Sequence, residues 1–179
     1  MNFNPIKIGS SLPDFNLPGV DGSFQSNYKY SDKKLLLVIF SCNHCPYVQA
    51  YEKRMIDIQN DYGDKGLQII AINSNDAVNY PEDSFDEMKK RSEKIGFNFP
   101  YLYDESQEVA RRFGATHTPQ LFLFDGERKL AYSGKIDDNW KEPEKVKVRY
   151  LRDALNELIE EKQVSVPETF AIGCTIKWK

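Results

Sequence analysis

Six apolar residues without a break, Leu35-Leu36-Leu37-Val38-Ile39-Phe40, run straight into Ser41-Cys42-Asn43-His44-Cys45-Pro46. A short run that is apolar on both faces belongs in the middle of a sheet covered on both sides, so it predicts a buried central strand. A helix follows, because Tyr47, Tyr51, Met55, Ile58 and Tyr62 recur at steps of three and four residues up to about Gly63. Pro46 is tolerated in the first turn, where a missing N–H costs little. Two cysteines therefore stand where the strand hands over to the helix. Unpaired N–H groups and partial positive charge at a helix start favour a thiolate, the form of cysteine that attacks. The pattern points to dithiol–disulfide chemistry.

The rest of the chain builds a sheet around that strand. Leu67-Gln68-Ile69-Ile70-Ala71-Ile72 reads as a second buried strand, and strand–helix–strand at this spacing implies a parallel pair with a right-handed crossover. Pro81 opens a further helix with Phe85, Met88 and Ile95 inward, and Tyr101-Leu102-Tyr103 is a short strand. Asp104 with Gln107 resembles a capping box for a brief helix carrying Val109, Ala110 and Phe113 and closed by Gly114. Gln120 to Phe124, Asp125-Gly126 and Lys129 to Tyr132 read as a hairpin. Pro143 starts a last helix with Val148, Leu151, Leu155 and Leu158 inward.

Ahead of the central strand, turn signals from Leu12 to Gly22 with Phe15, Leu17 and Phe24 between them predict an N-terminal β-hairpin packed on the domain edge. The tail from Val164 to Lys179 has no periodicity but holds Phe170, Ile172, Cys174, Ile176 and Trp178, too much apolar surface for a loose end. The expected architecture is α/β: a mixed sheet with helices on both faces, in one domain spanning 1–179, with 1–30 as the hairpin extension and 164–179 as a packed tail.

Composition narrows the partners. A net charge of −3 gives no broad basic face for nucleic acid, and no apolar run approaches the length of a bilayer span. Met1-Asn2-Phe3-Asn4-Pro5 lacks the charge and apolar stretch of a signal peptide, which leads to an expected cytoplasmic location. Three cysteines do not make a disulfide framework, so the Cys42–Cys45 pair is redox-active or metal-binding rather than a staple.

The strand that ends in a C-x-x-C helix start, followed by Thr118-Pro119 before an apolar strand and an Asp-Gly hairpin, resembles the thioredoxin fold. The N-terminal hairpin and the helix around Phe85 to Ile95 are similar to the peroxiredoxin and AhpC/TSA branch and its TlpA-like thiol-reductase relatives. Within it, the Cys-Asn-His-Cys-Pro-Tyr motif and the tail Gly173-Cys174-Thr175-Ile176-Lys177-Trp178 resemble peroxiredoxin-like thioredoxin proteins from about Gly9 to the C-terminus. The resemblance implies a thiol–disulfide oxidoreductase with an antioxidant role. Cys42 is then the exposed nucleophile, Cys45 the buried resolving thiol, and Pro119 a cis proline beside them that exposes the backbone of Thr118 to an extended substrate. It implies no resident cofactor or metal, and it implies a protein or small-molecule disulfide substrate with a dithiol donor.

Departures from the family pattern keep other readings open. Peroxiredoxins carry Pro-x-x-x-Thr-x-x-Cys, with the peroxidatic cysteine at the second position of a C-x-x-C; counting back from Cys45, this chain has Cys42 and Val38 instead of Thr and Pro. The strand before Cys42 also lacks the buried Asp with which thioredoxins move a proton. Alternatives are a thiol peroxidase, passing through a sulfenic acid, and a copper or other soft-metal carrier using Cys42, Cys45 and His117. His44 is read as a donor beside Cys42 that favours the thiolate and borders the substrate groove. His117 is either a groove residue or a loop histidine, and Cys174 either a third thiol or a structural cysteine. Trp140 packs or lines a rim.

Overall fold

The computed structural model describes residues 4–179; Met1, Asn2 and Phe3, part of the N-terminal stretch read above, lie outside them. The central strand β3 (Leu35–Ser41) is buried along its whole length. This follows the argument from its unbroken apolar run. The order of elements is β1 (Asn16–Pro18), β2 (Phe24–Ser26), β3, α1 (Pro46–Gly63), β4 (Leu67–Asn73), α2 (Phe85–Ile95), β5 (Tyr101–Tyr103), α3 (Glu108–Phe113), β6 (His117–Thr118), β7 (Gln120–Phe124), β8 (Leu130–Gly134), α4 (Tyr150–Ile159) and β9 (Cys174–Thr175).

Five strands lie in the order β5-β4-β3-β7-β8. β3 and β4 pair in parallel, as do β4 and β5, while β7 runs antiparallel to both β3 and β8. Successive side chains of a strand point to opposite faces, so β3 feeds two cores. Leu35, Leu37 and Ile39 meet Tyr51, Met55 and Ile58 of α1, Met88 of α2 and Leu151 and Leu155 of α4. Leu36, Val38 and Phe40 meet Val109, Ala110 and Phe113 of α3 with Phe15 and Leu17. The result is the expected mixed sheet with helices on both faces. Among the described residues no helix is long and apolar enough to cross a membrane.

Several local expectations change. Phe24 pairs in the N-terminal hairpin but is 67% exposed, so of the three apolar residues read there Phe15 and Leu17 are the buried ones. Pro81 and Pro143 each open a 3-10 turn, and the helices begin later, at Phe85 and Tyr150. Ser84 caps the first of these by accepting from the Glu87 N–H. Val148 precedes its helix and is exposed. Asp104 does cap α3, accepting from the Ala110 N–H at 2.9 Å. Gln107, the other half of that predicted box, turns elsewhere: its amide donates to the carbonyls of Ser74 (2.7 Å) and Lys177 (2.8 Å), which ties the C-terminal tail to the domain.

Candidate active site

Cys42 follows β3 and Cys45 caps α1 without a side-chain cap bond, so both sulfurs lie at the predicted strand-to-helix junction. The residue between β6 and β7 supplies the opposite wall, through the cis Thr118–Pro119 peptide bond. Thr118 reaches both sulfurs: its hydroxyl is 3.4 Å from Cys42 Sγ and its carbonyl oxygen 3.1 Å from Cys45 Sγ. Cys174 Sγ, from the tail strand β9, is 3.0 Å from Cys45 Sγ. All three cysteines are free thiols.

Two expectations fail here. Cys42 is not the exposed sulfur, being 1% exposed beside a 0% exposed Cys45, because Val48, Tyr47 and Cys174 pack over the pair. The backbone of Thr118 is not open to an extended substrate either. It pairs antiparallel with the protein's own tail, Thr118 opposite Cys174 and His117 opposite Thr175. Cys174, half-buried, is the sulfur nearest solvent.

Charge divides unequally among the three sulfurs. Hydrogen bonding from Cys42 lowers Cys45 to about 4 against its burial, helped by the Cys174 thiol and by the backbone N–H of Val48 in the first turn of α1. Cys42 moves the other way: its bond to Cys45, its burial and the nearby Asp83 carboxylate all hold its proton on. Burial, then the contact with Cys45, raises Cys174 to about 11. The lowered sulfur of this coupled pair is Cys45, whereas the resemblance places the nucleophile on Cys42.

Asp83 is the carboxylate absent from β3. It is 0% exposed and lies in the 3-10 turn after β4. Its Oδ1 accepts from the Asn43 N–H at 2.6 Å and its Oδ2 from the Asn75 side chain at 2.7 Å. His44 Nδ1 approaches Oδ2 to 2.6 Å but too far off line for a good hydrogen bond, and its ring stacks on Tyr80. His44 thus faces Asp83 rather than standing free as a donor to Cys42. Asn43 clamps the motif, donating to the Glu82 carbonyl and accepting from the buried Tyr101 hydroxyl at 2.9 Å.

The ligand set proposed for a soft metal does not assemble. His117 makes its ring contact with the Thr116 hydroxyl at 2.8 Å. Among the described residues the potential ligand group is Cys42, His44 and Asp83, whose donor atoms lie within 4.8 Å of one another. Each Asp83 oxygen there accepts one hydrogen bond, from Asn43 and from Asn75, which leaves further lone pairs free. Of the two readings of Trp140 the structure shows packing: it is partly buried against the core, its ring 4.3 Å from that of Tyr47 beside the helix start.

Sequence reasoning missed Asp83 and the role of Asn43, and gave Gln107 a cap instead of the tail anchor it makes. Asn43 alone carried a signal, its place inside the motif; Asp83 lies 40 residues beyond it, and only the fold brings it back.

The chain is similar to known proteins in sequence and fold. The profile described as AhpC/TSA family matches residues 8–133. Thiol-disulfide oxidoreductase ResA of Geobacillus thermodenitrificans (strain NG80-2) is 27% identical over 127 residues, covering 70% of this chain and 67% of the relative. Two crystal structures extend the likeness through the tail. An uncharacterized conserved protein from Geobacillus kaustophilus is 40% identical with a TM-score of 0.92, over 98% of this chain and 94% of its own. A hypothetical protein from Sinorhizobium meliloti 1021 is 37% identical with a TM-score of 0.91, over 98% and 97%.

Proposed function

The chain belongs to the AhpC/TSA family and has the thioredoxin fold, and from that premise we propose that it is a thiol-disulfide oxidoreductase whose working sulfurs are Cys42 and Cys45. One observation carries the reading: two cysteines separated by two residues stand at a strand-to-helix junction against the cis Thr118–Pro119 bond. The Thr118 hydroxyl lies 3.4 Å from Cys42 Sγ and its carbonyl oxygen 3.1 Å from Cys45 Sγ, and the bond between the two thiols lowers Cys45. Cys45 attacks one sulfur of a substrate disulfide, and the other leaves as a thiolate. Cys42 then gives its proton to Asp83 and attacks Cys45 Sγ, which releases the second substrate thiol and leaves a Cys42–Cys45 bond. A dithiol donor restores the reduced pair.

Thr118 and Pro119 wall the pair on the side that β9 covers, so a substrate disulfide reaches Cys45 when the tail lifts away, and His44 borders the site through Asp83. Substrates are protein or small-molecule disulfides, and three cysteines, too few for a disulfide framework, suit a reducing, cytoplasmic compartment. The test is insulin reduction by the full chain beside Cys42→Ser and Cys45→Ser. The expected result is turnover in the wild type, none in Cys45→Ser and slower turnover in Cys42→Ser. Wild-type turnover no faster than free dithiothreitol sinks the proposal.

A peroxidase is the second reading. It is favoured by the depressed thiol falling on Cys45, which matches the peroxidatic position of the family. Against it stand Val38 and Cys42, where the family's Pro and Thr would be. Stopped-flow mixing with hydrogen peroxide separates the two, since a rate no faster than a small free thiol removes the peroxidase.

A further inference from the structure

The tail occupies the place of a substrate. Its strand β9 pairs with the backbone of Thr118, and it carries a sulfur to 3.0 Å from Cys45. The fit is close: a Cβ on Gly173 would lie 2.1 Å from the Thr118 carbonyl oxygen and 3.1 Å from the Pro119 nitrogen. Only a residue without a side chain lets the tail backbone approach this far.

The tail is anchored on both sides of that approach. Upstream, the Ser133 N–H donates to the Pro167 carbonyl and the Thr169 N–H donates back to Ser133, each at 2.9 Å. Downstream, the Ile176 N–H donates to the Thr116 carbonyl at 2.9 Å, and the Asp76 N–H and Gln107 amide donate to the Lys177 carbonyl, both at 2.8 Å. Between the anchors the chain arches outward, with Phe170 92% and Ile172 43% exposed. Little apolar surface holds this arch, so it is the part of the tail that opens most easily.

We propose that the tail is a tethered substrate of the cysteine pair and that Cys174 is a third redox thiol, which takes the disulfide from Cys42–Cys45 and presents it to an external dithiol. This rests on the oxidoreductase reading of the pair. Cys174 loses its proton and attacks Cys45 Sγ; the Cys45–Cys174 bond forms as the Cys42–Cys45 bond breaks. The electron pair leaves on Cys42, which takes up a proton, so the step is a disulfide isomerisation needing no further oxidant. The oxidised bond now ends on the half-buried Cys174 instead of two sealed sulfurs. An external dithiol attacks Cys174 Sγ, expels Cys45 as a thiolate and closes its own disulfide. Cys45 is the best leaving group of the three, because exchange is faster when the departing thiol has a low pKa.

The test is linkage mapping on the full chain after one equivalent of diamide, trapping with N-ethylmaleimide and mass spectrometry of the digest. Expected are both Cys42–Cys45 and Cys45–Cys174 in the wild type, and Cys45–Cys174 as the intrachain bond in Cys42→Ser. Gly173→Val, whose side chain cannot fit against Thr118, keeps Cys42–Cys45 and loses Cys45–Cys174. Reduction of oxidised Cys174→Ser by a soluble dithiol slows by about tenfold, since attack must reach a buried sulfur. Wild type that turns over insulin, with Cys42→Ser leaving Cys45 and Cys174 as free thiols, overturns this inference and leaves the oxidoreductase standing. Cys174→Ser reduced as fast as wild type also overturns it. If neither bond forms in the wild type, both proposals fall.

Discussion

Thr118 touches two sulfurs, and the two sides of that contact treat charge in opposite ways. On the Cys42 side, the bond to Cys45, burial and the Asp83 carboxylate within 4.8 Å keep the proton on, against the Thr118 hydroxyl, which favours the anion. On the Cys45 side, two neighbouring thiols and the first turn of α1 supply donors that favour an anion, against burial and the Thr118 carbonyl oxygen, to which the protonated Cys45 donates at 3.1 Å. Burial is nearly the same on both, 1% against 0%, so burial does not decide the difference. What decides it is whether the surrounding groups donate hydrogen bonds or repel negative charge. A C-x-x-C spacing identifies the pair but not which member is ionised.

The sharpest way to break this comparison is to remove each sulfur in turn and follow the first exchange step. Cys45→Ser should lower single-turnover reaction with a disulfide by on the order of 10³-fold or more, because the anion is gone. Cys42→Ser should retain formation of the mixed disulfide and slow its resolution, which then falls to Cys174. The opposite pattern, with Cys45→Ser still forming the mixed disulfide, would return the nucleophile to Cys42.

The pH dependence of the Cys42–Cys45 reduction potential examines the same asymmetry without mutation. With Cys45 lowered to about 4 and Cys42 raised, two electrons bring only one proton between about pH 4 and neutrality. The potential should then fall by about 30 mV per pH unit, whereas two ordinary thiols would give about 59 mV. The sign also follows: a depressed thiol stabilises the reduced form above its own pKa, which makes the disulfide more oxidising there. Glutathione titrations across that range check the slope.

Asp83→Asn should narrow the gap between the two sides. Removing the repulsive charge lowers Cys42 by about one unit, equivalent to about tenfold more thiolate at neutral pH, and leaves Cys45 nearly unchanged. Mass-resolved iodoacetamide labelling of each cysteine measures this directly. Thr118→Val is the smallest perturbation. Loss of the hydroxyl 3.4 Å from Cys42 Sγ should cost that thiolate about 1 kcal/mol, or about fivefold in labelling rate, with little change at Cys45, which meets the backbone carbonyl instead.

Much of the fold was legible because its signals are local. The unbroken run of β3, the spacing along α1 and the Asp-Gly hairpin each follow from short-range periodicity. The errors arose where a residue type has two uses. Pro143 opens either a helix or a single turn, and Gln107 serves either a cap or a tail anchor; only tertiary contacts choose between them. The site was legible as a pair of cysteines, with Thr118 reached through family resemblance. Asp83 was not, because nothing near it in the chain marks it. The side of the tail that meets the pair was hidden as well, since two-residue strands such as β6 and β9 carry no pattern.

The close passage of Gly173 over Thr118 also fixes the tail in length. If the strand slid by one residue either way, Ile172 or Cys174 would bring a side chain against the carbonyl that now faces bare backbone. The span from Thr169 to Cys174 is therefore a measured tether, and adding or removing a single residue there would carry the third sulfur out of reach while leaving every other part of the molecule in place.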